Sequence, residues 1–209
     1  MGNAATLLST SRLWSSCWHK GTSVLEYDYE GYGRSGGKPD LANLCKDGTA
    51  AYNYARNTLK MPAEHIVHLG ISLGTGVACN VAKDNPSAGV ILMSPYANFL
   101  QLVKEDISAL AIYPDFMFPY HNIETLNFFG KSHVPVLMFA GGRDESIHIT
   151  QPDEIMANAV QPVKYIRIPK AKHVEFLDDR YLKNTFDTVR GFLSGLQSNK
   201  NIDLPLSDG

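Results

Sequence analysis

Short apolar runs alternate along the chain with longer segments in which apolar residues recur at helical spacing. The runs predict buried strands, because a strand covered on both faces has a continuous rather than an alternating apolar pattern. The strands are expected at 22–29, 65–70, 89–93, 134–140 and 163–168, and the main helices at 41–61, 75–83 and 181–196. Strands that alternate with helices predict an α/β fold with a mainly parallel sheet flanked by helices.

The alternation is interrupted between about residues 97 and 132, where aromatic and aliphatic residues occur without a strand-like run. This segment predicts a small helical cap, inserted between two strands of the sheet. No repeat, low-complexity tract or linker divides the rest of the sequence. We therefore expect a single domain over residues 1–209.

Composition restricts the classes of function. The 209 residues carry a net charge of −2, with lysine and arginine scattered, which argues against a surface for nucleic acid. The three cysteines are far apart, and no histidine–carboxylate group has metal-ligand spacing, so we expect neither a metal nor a cofactor. No run reaches the ~20 apolar residues that a spanning helix needs. The odd number and wide spacing of the cysteines favour a reducing compartment, and the expected location is cytoplasmic or membrane-associated.

A Gly-x-Ser-x-Gly sequence at residues 70–74 follows a predicted strand and precedes a predicted helix. Ser72 is the candidate nucleophile, because a tight strand–turn–helix lifts its hydroxyl clear of the sheet, where a base can reach it. The amide of Leu73 would then lie at a helix N-terminus, where it can donate to an oxyanion. The alternative is a serine in an ordinary glycine-rich loop. No phosphate-binding pattern is present in the sequence.

Two later loops supply the acid and the base that such a nucleophile needs. Asp144 follows the apolar run at 134–140, and His173 follows the strand at 163–168. Both positions are carboxyl ends of predicted parallel strands, the edge where Ser72 also lies. We expect His173 to accept the serine proton and Asp144 to hold and stabilise the imidazole. The other carboxylates and histidines lack this combination of chain order and placement.

Four segments resemble motifs of the α/β-hydrolase superfamily. Residues 27–35 are similar to the turn after its fourth sheet strand, residues 69–76 to its nucleophile elbow, and residues 136–147 to its acid-bearing strand and loop. Residues 2–4 resemble the end of its His-Gly-Asn-Ala oxyanion motif. The resemblance implies the α/β-hydrolase fold, and it carries the triad over by position. It further implies oxyanion donors at the amides of Leu73, Asn3 and Ala4.

The subgroup that the motifs resemble contains lysophospholipid and monoacylglycerol lipases, and thioesterases that strip palmitate from proteins. In that subgroup a histidine and three strands precede the position of Gly2. We therefore expect this chain to lack the usual N-terminal strands and to be truncated at its start. The alternative is that the sheet closes up around the gap.

The predicted activity is hydrolysis of an acyl ester or thioester, in a lipid or an acylated protein, through an acyl-serine intermediate. Membrane association would be peripheral and would come through the substrate. The competing interpretations are a non-catalytic relative that binds a partner or ligand, and a peptidase with the same triad. Aromatic residues in and beside the cap are candidate substrate contacts, unless they only pack the cap onto the domain: Tyr96, Phe99, Tyr113, Phe116 and Phe118.

Overall fold

A computed structural model describes residues 22–117 and 123–198, and the chain divides into two compact units between residues 61 and 62. The described part of the first unit contains helix α1 (Leu44–Asn53) and a π-helical turn at Tyr54–Thr58. The expected helix at 41–61 is therefore confirmed, although its last residues are not α-helical. The expectation of a single domain stays a prediction.

The strand predicted at 22–29 is wrong, because these residues form no strand in the structure. An apolar run becomes a strand only when a neighbouring strand supplies ladder hydrogen bonds, and no described strand pairs with this segment. Its apolar side chains are also largely exposed, with Val24 at 45%. The turn that follows is present, since Gly31 and Gly33 have φ of +77° and +53°. Such angles suit glycine, which has no Cβ to clash.

The second unit contains a parallel sheet whose strands lie side by side in chain order. The predicted α/β class, with a parallel sheet flanked by helices, is confirmed. The strands are β1 (Val67–Ile71), β2 (Gly89–Met93), β3 (Val136–Gly141) and β4 (Val163–Ile168). The helices are α2 (Gly74–Asp84), α3 (Phe99–Asp106), α4 (Leu126–Phe129), α5 (Thr150–Asn158) and α6 (Asp179–Gln197), with 3-10 turns at Ala63–His65, Ser108–Ile112, Asp115–Met117 and Glu175–Leu177.

The register of the sheet brings the carboxyl ends of its strands to one edge. Gly70 pairs with Leu92, Leu92 with Met138, and Met138 with Tyr165. Every residue of β2 and β3 is buried, because each of these strands has a neighbour on both sides, whereas most of β1 and β4 is only half-buried. The loops that leave β1, β3 and β4 therefore begin close together.

Helices cover both faces of this sheet. On one face, Leu92 and Met138 share a buried apolar cluster with residues of α2, α4 and α5. The other face carries α6, since a Cβ at Gly89 would lie 3.3 Å from the Phe192 ring. Each fully buried aliphatic or aromatic side chain contributes about 1.5–3 kcal/mol, so these two layers supply the stability that holds the strand ends in place.

The described part of the segment at 97–132 is helical and contains no strand, as predicted. Hydrogen bonds join its two ends. The Tyr96 hydroxyl donates to the Ile123 carbonyl at 2.8 Å, and the Leu126 amide donates to the Ala97 carbonyl at 3.2 Å. The segment thus leaves and re-enters the unit at neighbouring points, and α4 at its end packs into the main apolar cluster.

Helix α6 confirms the prediction at 181–196, and α5 was not predicted. Helix α5 holds Pro152 in its first turn, where a missing N–H costs no helical hydrogen bond, so the proline does not mark a helix end there. Helix α6 buries Phe186, Val189 and Phe192 along one face. None of the described helices is long and apolar enough to cross a membrane.

Candidate active site

Ser72 lies on the sharp turn between β1 and α2 and has a φ of +52°. This left-handed conformation is uncommon for a residue with a side chain, and it persists only where neighbouring contacts impose it. The Ser72 amide donates to the Met93 carbonyl at 2.8 Å, and its own carbonyl accepts from the Thr75 amide and hydroxyl, at 2.9 and 2.6 Å. Backbone contacts with β2 and α2 therefore hold Ser72 in its strained turn.

Gly70 allows this turn to be tight. A Cβ at this position would lie 2.4 Å from the Gly74 carbonyl oxygen and 2.7 Å from the Thr75 Cα. Real Cβ atoms do not approach backbone this closely, so β1 or α2 would have to move if any other residue replaced Gly70. The close approach of strand and helix that the sequence pattern predicted is therefore present.

Replacing Gly70 with alanine is expected to destabilise the protein by about 1–3 kcal/mol, because the added methyl group overpacks a contact between two backbones. The matched control is Gly191→Ala in the middle of α6, where a Cβ would meet no atom within 4 Å. The control should be about 0.5–1 kcal/mol more stable than wild type, since alanine favours a helix. Urea unfolding of the three proteins measures both values, and equal stability of the two variants would contradict the packing argument.

The structure brings the three predicted residues together. The Nε2 atom of His173 is 3.1 Å from the Oγ atom of Ser72, and the Nδ1 atom is 2.8 Å from Oδ2 of Asp144. An ionised carboxylate can only accept a hydrogen bond, so Nδ1 carries a proton. In a neutral imidazole Nε2 is then left to accept the serine proton.

The Asp144 carboxyl is buried, with 2% of its side chain exposed, and each of its oxygens has a partner. Oδ1 accepts from the amides of Ser146 and Ile147, at 2.9 and 2.8 Å, while Oδ2 faces His173. Burial raises the pKa of Asp144, but the hydrogen bond from His173 and those from the two amides outweigh it and hold the pKa below its usual value. The carboxyl is therefore ionised at neutral pH.

The loops that carry Asp144 and His173 are joined through their backbones. The Gly142 amide donates to the Ile168 carbonyl, and the Arg143 amide donates to the Ala171 carbonyl, both at 2.9 Å. A Cβ at Gly141 would lie 2.5 Å from the Ala171 carbonyl oxygen, so the two loops can touch only because glycine stands there. The Asp144–His173 contact thus follows from the pairing of β3 with β4.

The residues on either side of His173 donate to side-chain oxygens. The Lys172 amide donates to Oε2 of Glu175 at 2.9 Å, and the Val174 amide donates to Oγ of Ser94 at 3.4 Å. Ser94 is the first residue after β2 and was not among the predicted site residues. A polar residue directly after a buried strand, at the same edge as Ser72, is the signal that could have indicated it.

Two other residues of the types expected for the acid and the base have different environments. The Glu145 side chain is exposed and lies 3.6 Å from Nζ of Lys172. His68 lies within β1, where burial lowers its pKa to about 4, so it is neutral at physiological pH. In the part of the chain that the structure describes, no group of three or more histidine, cysteine or acidic side chains is placed to hold a metal ion.

The predicted oxyanion donors are described only in part. Leu73 follows Ser72 directly and caps the N-terminus of α2, which is the predicted position for its amide. Asn3 and Ala4 lie outside the described residues. At a helix N-terminus the amides have no helical partner and the helix dipole favours negative charge, so Leu73 is well placed for a developing oxyanion.

The predicted substrate contacts have differing environments. Tyr96 is fully buried and Phe99 is nearly so, and their ring centroids are 5.6 Å apart. Tyr113 is 45% exposed. The Phe116 side chain and all of Phe118 lie outside the described part of the chain. Contact with a substrate stays a prediction for all five residues.

Comparisons with known proteins agree with this fold. Among solved structures, an esterase from Pyrococcus furiosus matches 81% of this chain and 68% of its own length, with a TM-score of 0.67 and 17% identity. An esterase from Exiguobacterium antarcticum matches 80% of both chains, with a TM-score of 0.55 and 16% identity. At these identities the two structures show a common fold.

Sequence comparison gives the family. An uncharacterized protein of Mycobacterium tuberculosis is 30% identical over 92% of this chain and 67% of its own length. The human α/β hydrolase domain-containing protein 17B is also 30% identical, over 72% of this chain and 50% of its own length. The chain thus spans half to two thirds of the length of these relatives. The profile of the family described as serine aminopeptidase, S33, matches residues 7–128. The chain belongs to this family and, with it, to the α/β-hydrolase superfamily.

Proposed function

We propose that the protein is a serine hydrolase in which Ser72 is the nucleophile, His173 the general base and Asp144 the residue that orients and stabilises the imidazole. The observation that carries the proposal is the continuous chain of contacts from Oδ2 of Asp144 through both ring nitrogens of His173 to Oγ of Ser72. The depressed pKa of Asp144 supports it, because only an ionised carboxyl stabilises the imidazolium that forms.

In the first half-reaction, Oγ of Ser72 attacks the acyl carbon while its proton moves to Nε2 of His173. The carbonyl oxygen becomes an oxyanion, to which the Leu73 amide donates. When this intermediate collapses, the bond to the leaving group breaks and Nε2 returns the proton to the departing alcohol or thiol. The product is an ester between the acyl group and Ser72.

In the second half-reaction, water attacks the acyl-serine and gives its proton to Nε2 of His173. The second oxyanion collapses, the proton passes to Oγ of Ser72, and a carboxylic acid leaves. Asp144 stays ionised throughout and offsets the positive charge that the imidazole carries twice in each cycle. Each step therefore reuses the same hydrogen-bonded chain.

Acyl esters or thioesters of lipids or acylated proteins are the proposed substrates. The insertion between β2 and β3 supports an apolar acyl group, because it exposes large apolar side chains, with Ile112 at 80% and Met117 at 58%. Burying one methylene group of an acyl chain contributes about 0.8 kcal/mol to the binding free energy, so the burial of several methylene groups would strongly favour long acyl chains. Association with membranes would be peripheral and would follow from such a substrate.

A non-catalytic binding protein is the less favoured alternative. A chain that only bound a ligand would have no need of a strained Ser72, a base within hydrogen-bond distance and a buried, ionised Asp144. An intact triad supports activity but does not suffice for it, because removal of one oxyanion donor alone slows comparable enzymes by about 10²–10³-fold.

Labelling of the purified chain with a fluorophosphonate probe tests the proposal. We expect the wild type to be labelled and Ser72→Ala not to be labelled. Ser87→Ala is the matched control, since it removes a buried hydroxyl outside the site and should be labelled like wild type. A folded wild-type chain that takes up no probe would contradict the proposal and favour the binding protein.

The choice of substrate separates the esterase from the peptidase that the family description suggests. Initial rates would be compared for p-nitrophenyl esters of short and long acids, a palmitoyl thioester and an aminoacyl p-nitroanilide. We expect Ser72-dependent cleavage of the esters and the thioester, with longer chains preferred. Cleavage of the anilide alone would indicate an aminopeptidase instead of an esterase or thioesterase.

A further inference from the structure

Among the described residues, three other than glycine have left-handed backbone at the edge of the sheet that carries the site. They are Ser72 after β1, Ser94 after β2 and Val174 beside His173, with φ of +52°, +50° and +51°. A β-branched residue such as valine is a genuine outlier in this region. The tight turn accounts for the conformation of Ser72. Ser94 and Val174 need another explanation.

Ser94 and Val174 are linked to each other. Ser94 is 2% exposed, and its Oγ accepts the hydrogen bond from the Val174 amide at 3.4 Å. The Ser94 amide in turn donates to the Phe139 carbonyl of β3 at 3.0 Å, which fixes Ser94 to the centre of the sheet. The strained residue next to His173 is therefore held by a side chain that is itself anchored to the rigid core.

We propose that Ser94 is a positioning residue, which holds Val174 in its left-handed conformation and so directs Nε2 of His173 at Oγ of Ser72. The inference rests on the proposed function, because it assigns Ser94 to the same reaction. Proton transfer needs the two heavy atoms within about 2.6–3.2 Å, and the observed 3.1 Å lies near the upper end of that range. A small rotation of the backbone at residue 174 would therefore take His173 out of reach.

Removing the hydroxyl of Ser94 should release this constraint. In Ser94→Ala, kcat for a p-nitrophenyl ester is expected to fall roughly 10- to 100-fold, as for a reacting group displaced by about 1 Å. KM should stay within about twofold of wild type, because Ser94 is proposed to act on the base rather than on the substrate. Ser94→Gly should lose as much kcat as Ser94→Ala, although glycine suits a φ of +50° better.

The matched control is Thr185→Val. Thr185 is also 2% exposed, and its hydroxyl donates to the Phe176 carbonyl at 2.9 Å, so the variant also loses a buried hydrogen bond between a hydroxyl and the backbone, but not the one to Val174. It should be less stable than wild type but keep its kcat. If Ser94→Ala behaves like Thr185→Val, the serine is only structural and the inference is wrong.

A second readout on the full chain does not depend on turnover. The Nδ1 proton of His173, shared with Asp144, should give a low-field proton NMR signal, assigned by its absence in Asp144→Asn. We expect the signal in wild type and Thr185→Val, and a broadened or missing signal in Ser94→Ala. An unchanged signal in Ser94→Ala would overturn the positioning role. If wild type shows no Ser72-dependent hydrolysis, the proposed function fails and this signal alone decides the role of Ser94.

Discussion

Replacing His173 with glutamine is expected to lower kcat for ester hydrolysis by about 10⁶-fold, the loss seen when the base of a comparable triad is removed. Glutamine can fill part of the imidazole volume, but its amide cannot take a proton from Oγ of Ser72 at neutral pH. The serine hydroxyl then has no acceptor for its proton as it attacks. Initial rates with a p-nitrophenyl ester, compared with buffer alone, measure the loss.

The matched control for this variant is His148→Gln. His148 is exposed on the loop after β3, where its Nδ1 lies 3.1 Å from Oγ1 of Thr150, so it shares the residue type and the region but not the contact with Ser72. Its kcat should stay within about twofold of wild type. Activity of His173→Gln above about 1% of wild type would mean that another group serves as the base.

Replacing Asp144 with asparagine should lower kcat by about 10⁴-fold. The free energy of unfolding should change by less than the activation free energy does. The amide oxygen can still accept from Ser146 and Ile147, but its NH₂ group would face Nδ1 of His173. The imidazole then favours the tautomer with its proton on Nε2, which points that proton at Ser72 and removes the acceptor. The variant is expected to keep its fold, but its His173 can no longer accept the proton of Ser72.

The neighbouring acid provides the control. Glu145→Gln changes the same charge one residue later, on an exposed side chain that lies 3.6 Å from Nζ of Lys172. Exposed ion pairs of this kind contribute about 0–1 kcal/mol, so both stability and kcat should be close to wild type. Equal losses from the two variants would show that net charge near the loop, rather than the contact with His173, controls the rate.

Much of the second unit could be predicted because its signals are local. The predicted strands at 89–93 and 163–168 have the observed bounds, since turn residues flank a continuous apolar run in each. The segment at 22–29 shows where local signals fail. Its β-branched and aromatic residues suit a strand, but a strand also needs a neighbour, and that is not written in the segment itself.

The three triad candidates could be predicted because a rule of topology connects them. Parallel strands end at one edge, so Ser72, Asp144 and His173, each following a strand, meet there although 101 residues separate the first from the last. The same rule applies to Ser94, which directly follows β2, but it does not indicate which residue Ser94 contacts. Its contact with Val174 depends on how two loops approach each other and on a left-handed backbone. Neither property produces a periodic pattern of residues in the sequence.

The pairing of β3 with β4 has a consequence for insertions and deletions. Asp144 stands three residues beyond Gly141 and His173 five residues beyond Ile168, and these two strand ends are paired with each other. One residue added to either loop can displace the side chains after it by up to about 3.3–3.6 Å. Apart from Asp144, His173 and the glycine at the contact, residues in these loops can therefore vary, whereas a change of one residue in length would separate the Asp144 carboxyl from the His173 imidazole. Among homologues, loop length should be a stricter mark of an active protein than loop composition.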